Sequence, residues 1–594
     1  MSQFSKTQVS VGANSSHSFP MRPMHLTTGK FFHFEVAFAK EFPKHSGHIN
    51  HKTFIRTMPL KRPLLSAINF HKSAYFVPFR TVWEPYTDFK TDTPHVQQEG
   101  AAILGNVPLI QNSTLLKIFT SGDFASQVTL NDIHDFETTV PGQSQLTYWK
   151  FKPRGRDAFK LLTSLGYRVY FTSVSDRTMS ALPLLCAAKV YLDYYFPNQY
   201  AHTGYYINLD GIFNRQYVYN MSEQDLLSVF NVCRFVSYSD DYFVSAFDNP
   251  LGPSNLVVSN NYKLVDLSDF TNLDTADGGT SLLVENRVGN NSITPFVTQS
   301  SGDSTNVLSQ YADDALKALT NYIRRHGLAG SRSLERYLAD WGVALSADKL
   351  KRCYKLGEKH YPLQVSDIVS TADTIQEVAQ EVVGSALGDM AGKGVAFNGD
   401  FACDTKFDEF GYFIVINTII PEVSYYQGID KNVLHKTRLD FLTGDFDGLG
   451  TRPIASEELF VGMKRDSVDF DNIFGFCPIY AEYKTCPDKV SGDFLLDTLN
   501  VGLEGWSTLR QFDDSEAGNL EPFDVVHGLN FVLANDWEQY NRIFLDSEDD
   551  SDKFVILHRC EMDINMPAVP LYDFYDFDDA KQKIKLDVNG TQSN

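Results

Sequence analysis

The run Ala74-Tyr75-Phe76-Val77-Pro78-Phe79-Arg80-Thr81-Val82-Trp83 limits most severely what this chain can fold into. Aromatic and β-branched side chains dominate it, and these fit a pleated, half-buried surface better than a helix. Pro78 has no N–H to give to a ladder, so it marks a strand end or an edge. Similar runs occur at Phe31-Phe32-His33-Phe34-Glu35-Val36-Ala37-Phe38, at Gly411-Tyr412-Phe413-Ile414-Val415-Ile416-Asn417 and at Phe554-Val555-Ile556-Leu557. Polar, turn-rich stretches over residues 86–147 and 250–305 read as long loops. With 45 Phe and 29 Tyr among 594 residues, the chain has ample apolar surface for a large core. Short strands, long insertions and few helices predict a β-sandwich or jelly roll decorated by loops, not alternating βα units.

The remaining organisation follows from periodicity and punctuation. Residues 1–28 read as an irregular arm, and strand patterns begin at Lys30. Short helices are expected over residues 154–166 and 181–195, and strand-like runs at 216–219 and 235–247. Leu308, Tyr311, Ala312, Ala315, Leu316, Leu319, Tyr322 and Ile323 form one apolar stripe at helical spacing, ended by Arg324, Arg325, His326 and Gly327. In the turn that follows, Arg332 and Glu335 read as a structural ion pair. Thr374 and Glu377 match a capping box leading into Ile375, Val378, Ala379, Val382 and Val383, which predicts another helix. Beyond Phe410 strands dominate, and the tail after Lys581 is charged and loose.

Charge and composition exclude several classes. The net charge of −22 and a pI near 5.1 rule out chain-wide binding to nucleic acid, leaving local basic patches or a basic partner. The polar first twenty or so residues lack the apolar core of a signal peptide, and no run of about 18 apolar residues predicts a transmembrane helix. Seven scattered cysteines, none spaced C-x-x-C, read as free thiols.

The search for chemistry finds no phosphate loop, nucleophile elbow, zinc helix or dinucleotide fingerprint. His45, His48 and His51 suggest a metal site by spacing, but on a strand they alternate faces and cannot converge. Asp445-Phe446-Asp447-Gly448 begins like a calcium loop but lacks the downstream Glu, so it reads as a turn. The acidic runs 546–552 and 573–579 read as solvated faces. Three basic patches with aromatic neighbours are candidate DNA contacts: Arg56, Lys61 and Arg62; Lys150, Lys152 and Arg154; and Lys349, Lys351 and Arg352. No catalytic, cofactor or metal residue is assigned, so an enzyme is not expected.

An ordered series of segments resembles one known family. The run at residues 74–83 looks like "FFVPxRxxW". Ser180-Ala181-Leu182-Pro183 with Leu192-Asp193-Tyr194-Tyr195 is similar to "ALPxxAYxxIxxDYY", and Asp241-Tyr242-Phe243-Val244-Ser245-Ala246 to "DYFTSAL". Gly330, Ser331, Arg332 and Glu335 stand where "GGTRYxE" has its turn, Trp341-Gly342-Val343 where it has "FGV", and Leu387-Gly388 with Ala391-Gly392 and Gly394 where it has "LGxxAGxG". Further on, Glu409-Phe410-Gly411-Tyr412, Tyr425-Tyr426-Gln427-Gly428-Ile429-Asp430 and Tyr480-Ala481-Glu482-Tyr483-Lys484 look like "EHGYI", "YxQGxxR" and "RYAEYR". These are segments of the major capsid proteins of the Microviridae, the small tailless single-stranded-DNA phages, and the likeness is to the gokushovirus-like members. Asp430 departs from the usual basic residue, and Ser507 follows Trp506 where the family has His.

What the resemblance implies is an eight-stranded antiparallel jelly roll, with residues 1–29 as arm, 30–580 as one capsid domain and 581–594 as tail. Insertions are expected near 86–147 and 196–345. The implied function is a T=1 icosahedral shell of about sixty copies, built from pentamers, around circular single-stranded DNA. Implied partners are other copies of the chain, a small basic internal DNA-binding protein, the genome and a bacterial surface receptor, with no membrane and no cofactor. The implied location is the virion, assembled in the host bacterial cytoplasm. A jelly-roll carbohydrate-binding protein or glycosidase, or a phage spike protein, remains the rival reading, since aromatic enrichment and plentiful carboxylates suit sugars as well.

Overall fold

The computed structural model describes residues 15–17, 23–91, 105–129, 147–169, 177–201, 203–248, 273–276, 279–282, 351–369, 376–378, 381–383, 390–396, 401–444, 451–461, 473–496, 503–512, 527–546 and 551–568. Eight strands carry the architecture: β1 (Met24–Gly29), β2 (Glu35–Phe42), β3 (His45–Thr57), β4 (Ile68–Pro78), β5 (Tyr354–Val369), β6 (Phe401–Phe407), β7 (Gly411–Pro421) and β8 (Phe554–Met566). All their pairings are antiparallel. β1 pairs with β8, β8 with β3, and β3 with β6. Likewise β2 pairs with β7, β7 with β4, and β4 with β5. Met390–Ala396 bridges the two sets by pairing with both β5 and β3.

Side-chain periodicity explains why the two sheets face each other. Along β8, Phe554, Ile556, His558, Cys560, Met562 and Ile564 are buried, while the residues between them are exposed or half-buried. That period of two presents one face to a core and one to solvent. Its Cys560, Met562 and Ile564 meet Ile49 of β3, Phe401 of β6 and Phe413 and Val415 of β7 in a core between the sheets. β7 differs, because both faces of Tyr412 to Ile419 are buried. Its outward Ile414 and Ile416, with Tyr75 and Val77 of β4, belong to a second and larger core.

Helices from the long connection between β4 and β5, residues 79–353, supply that second core. They include α1 (Pro153–Ser164), α2 (Leu182–Val190), α3 (Gly204–Phe213) and α4 (Glu223–Val232). Pro153 starts α1 where no N–H is missed. Ser222 and Asp225 cap α4 reciprocally, at 3.2 and 3.0 Å. α2 is buried nearly all round, since it lies between the sheet and the other helices.

The antiparallel sandwich and the helices near 154–166 and 181–195 agree with the sequence reading. Elsewhere the structure differs. Met24–Gly29, in the expected irregular arm, is a strand in the β8 ladder. Residues 86–147, read as loops, include a helix at Asn112–Phe119 whose Leu115, Ile118 and Phe119 enter the core at helical spacing. Residues 216–219 form no strand, and 235–247 touch neighbouring segments only through single bridges at Phe235, Ser237 and Phe247. Their aromatics enter the core from irregular backbone. The capping box at Thr374 starts no helix among the described residues: Gln376–Val378 pairs with Glu381–Val383 as a hairpin. The β-branched Val378, Val382 and Val383 favour that outcome. Residues 308–335 and 445–448 lie outside the described residues, with the stripe, Arg332, Glu335 and the Asp445 turn.

Gly47 of β3 faces Ile564 of β8, and a Cβ there would press on the Asp563 carbonyl and lie 2.8 Å from Ile564 Cα. Gly47→Ala is expected to destabilise the fold by about 1–3 kcal/mol, read as a lowered urea midpoint. Gly211→Ala, in α3 with open space around it, is expected to raise the midpoint instead.

Candidate assembly and nucleic-acid surfaces

A buried charge network fastens α1 to the sandwich. Lys30, between β1 and β2, has no exposed side-chain area, and its Nζ lies 3.4 Å from Asp157 of α1 and 4.8 Å from the centre of the Trp537 ring. Arg234 donates to the same Asp157 carboxylate at 2.7 and 3.1 Å. Lys160 of α1 reaches Glu35 at 3.3 Å and Asp552 at 3.0 Å. Burial opposes the Asp157 charge, but His33, Lys30 and Arg234 outweigh it and hold the carboxyl well below the usual range. Burial dominates at Glu35 and pushes it up to about 7. Asp552 corrects the reading of 546–552 as a solvated face: it is a structural anchor.

Inside the sandwich sits a second polar group. Lys72 of β4 is fully buried and donates to the His51 carbonyl at 3.1 Å. The His51 and His558 rings lie 5.2 Å apart, and His558 is held by Thr53 and Asn417, each at 3.0 Å. Burial, then the Lys72 charge, keeps both imidazoles well below their ordinary pKa and therefore neutral. Neither His51 ring nitrogen has a hydrogen-bond partner. His48, three residues earlier, faces solvent and meets Asp404 at 2.9 Å. The three histidines therefore do not converge, as strand alternation requires.

The three basic patches stand apart in the fold. Arg56 lies on the solvent face of the β1-β8-β3-β6 sheet, where register sets it opposite Val555, Phe54 opposite Leu557, and Lys52 opposite Arg559. Arg56 and Arg559 are exposed, with no carboxylate partner among the described residues. The result is a stripe of cations interleaved with apolar side chains. Sequence reasoning named Arg56 but missed Arg559, because only the pairing of β3 with β8 joins them. Lys61 and Arg62 follow β3 and pack their stems near Gly505. Lys150 and Lys152 are exposed just before α1, and Arg154 lies 5.9 Å over the Phe124 ring. Lys351 pairs with Glu84 at 3.5 Å, Arg352 lies 5.9 Å over Tyr194, and Lys349 is outside the described residues.

A separate surface is apolar. Val433, Phe441, Leu442 and Tyr483 are 73%, 54%, 50% and 45% exposed. Phe441 and Tyr483 flank the His435 ring at 5.3 and 6.0 Å, and the Tyr483 hydroxyl lies 3.4 Å from the Leu442 amide. Arg452 braces the patch from below through Asp440 at 2.8 Å and Glu482 at 3.1 Å. Phe441, Leu442 and Tyr483 thus form a held group of large exposed side chains around His435.

The fold is thus an antiparallel β-sandwich with a braced apolar surface and a separate cationic stripe, and no helix among the described residues is long and apolar enough to cross a membrane. The family model for the capsid protein (F protein) matches residues 158–547, about two thirds of the chain, and the chain belongs to that family. It is similar to capsid protein VP1 of Chlamydia phage 1, 24% identical over 199 residues, which is 33% of this chain and 32% of that protein. It is also similar to capsid protein VP1 of Bdellovibrio phage phiMH2K, 27% identical over 168 residues, 28% of this chain and 30% of that protein. To capsid protein VP1 of Spiroplasma virus 4 it is 23% identical over 194 residues, 32% of this chain and 34% of that protein. Each match thus spans about a third of the relative's own length.

Because His51 and His558 are neutral when folded and take up protons when unfolded, the stability these two residues contribute is full above about pH 6.5 and falls as pH drops below it. Each group contributes a slope of up to about 1.4 kcal/mol per pH unit. His51→Phe keeps the ring and removes two unpartnered nitrogens. It is expected to flatten the fall in urea midpoint between pH 7 and pH 5 without lowering the midpoint at pH 7. Separately, Asp157→Ala leaves Lys30 buried without its nearest anion and is expected to cost about 3–5 kcal/mol by the same measurement.

Proposed function

We propose that this chain is the major coat subunit of a T=1 icosahedral shell of about sixty copies that encloses a circular single-stranded DNA genome. Family membership carries the reading, and the strand order supports its fold as a jelly roll. Counting along the chain, strand one pairs with eight, two with seven, three with six and four with five. A long antiparallel hairpin rolled on itself produces that order, with two Greek keys. Strands β1 to β4 and β8 fall outside the matched residues 158–547, yet they supply the partners that the matched β5, β6 and β7 need.

Two surfaces divide the work. The patch of Val433, Phe441, Leu442 and Tyr483 serves contact between copies, first in pentamers. The cationic stripe of Arg56 and Arg559, with Phe54 between them in register, meets the nucleic acid by charge and stacking. The other sequence-named cations, Lys61, Arg62, Lys150, Lys152, Arg154, Lys349, Lys351 and Arg352, remain secondary contacts. At a net charge of −22 these cannot neutralise a genome. A small basic internal protein completes the neutralisation, and a bacterial surface receptor is the outer partner. Assembly takes place in the host cytoplasm, and the protein acts structurally, without catalysis.

Expression with its phage neighbours, followed by negative-stain microscopy, is expected to yield small uniform shells. Val433→Asp with Leu442→Asp is expected to leave soluble, folded subunits that no longer form shells. Shells unaffected by both changes would remove this patch from the assembly contacts. Arg56→Ala with Arg559→Ala is expected to lower packaged DNA per particle while shells still form, and unchanged DNA content counts against the stripe.

A further inference from the structure

We propose that His71, His360 and Glu358 form a binding site for a divalent transition-metal ion of the zinc type, on the helix-covered side of the β5-β4-β7-β2 sheet. The register builds it. His71 of β4 lies directly opposite His360 of β5, and Glu358 precedes His360 by two residues, opposite Ser73. Residues directly opposite, and residues two apart on one strand, project from the same face. All three side chains therefore share one patch beside Tyr75, which lies two residues beyond Ser73 on the same face.

The donor atoms already converge. One ligand atom from each of the three residues lies within 4.8 Å of the others. The Nδ1 atoms of His71 and His360 touch, with ring centres 4.2 Å apart at 75°. Glu358 Oε1 lies 3.1 Å from His360 Nε2. In a tetrahedral zinc site with bonds of about 2.0–2.2 Å, donors stand about 3.3–3.5 Å apart, so small side-chain rotations close the set. Lys355 holds the other Glu358 oxygen, so only Oε1, now beside His360 Nε2, has to turn toward the ion. His71 Nε2 is enclosed and without a hydrogen-bond partner, so no protein group except His360 competes for that ring.

The chemistry selects the ion. Two imidazoles and one carboxylate suit zinc, cobalt, nickel or copper, whereas calcium and magnesium prefer all-oxygen shells. His360 and Glu358 are 52% and 34% exposed, which gives the ion an entry path and leaves a fourth position for water. The structural consequence is a clip between β4 and β5, the two strands separated by the excursion over residues 79–353.

The test uses the full chain, stripped with a chelator and titrated calorimetrically with zinc chloride, with thermal melts in zinc, calcium or magnesium. The expected result is one zinc per subunit and a melting temperature raised by zinc alone. His360→Ala and Glu358→Gln, both at exposed positions, are expected to keep the metal-free melting temperature and weaken zinc binding by at least about tenfold. Cobalt added to the wild type is expected to give the visible absorption of a four-coordinate site. A wild type that binds no zinc, or zinc binding unchanged in both variants, overturns the proposal. Should either variant fail to fold, an octahedral cobalt spectrum in the wild type overturns it equally.

Discussion

Burial of the central strands β4 and β7 on both of their faces is the constraint on which the other features depend. One face meets the β1-β8-β3-β6 sheet and the other meets the helices of the long β4–β5 connection. A strand with no wet face needs no polar alternation, which is why Tyr412 to Ile416 run without a polar residue. The partner sheet keeps one solvent face, and its strands alternate accordingly. That asymmetry gives the molecule two different exteriors. One is a sheet surface bearing Arg56 and Arg559, and the other is helical and irregular, rich in aromatic rings.

Polar groups trapped by this double burial are tied into networks. Lys30, Asp157, Arg234, Lys160, Glu35 and Asp552 join segments from the start, middle and end of the chain around α1. Arg510 plays a similar part elsewhere, with its guanidinium 4.0 Å from the Tyr238 ring centre, 4.2 Å from that of Phe531, and paired with Asp536 at 3.0 Å. Such networks add little net stability over apolar packing, but breaking one partner leaves a buried charge exposed to no counterion. Their effect is to fix which segments meet. For a subunit whose surfaces must match those of its neighbours, that specificity matters more than extra stability.

The parts legible in the sequence were those whose signal is local. Ala74 to Pro78 and Gly411 to Asn417 announced strands, and residues 154–166 and 181–195 announced helices, whereas Phe79–Val82, read as the continuation of a strand, is a short helix after Pro78. Capsid-family membership was legible from the ordered segments. What escaped depends on pairing across long stretches of chain. Met24–Gly29 became a strand because Phe554–Met566 offers it an edge, and nothing within the arm itself shows this. Arg559 joined Arg56, and His360 met His71, only through register. The hairpin at Gln376–Val378 and Glu381–Val383 shows the opposite failure, in which a valid capping pattern lost to β-branched residues and tertiary context.

Charge carries the final step. The formal excess of acid counts every cation equally, yet the fold spends many of them internally. Lys30, Lys72, Lys160, Arg234 and Arg510 are buried or bound to carboxylates and carbonyls, so they offer nothing to a polyanion outside. Cations at the surface are diluted further, since Lys44, Lys52 and Lys351 each face an acid at 3.2 to 3.5 Å. The net charge of the chain is therefore unfavourable to a polyanion, and exposed cations without a carboxylate partner among the described residues are confined to short stretches such as the Arg56–Arg559 stripe. On the proposed function, a coat built from such subunits would need a separate cationic component beside the genome, which is why that reading includes a small basic partner.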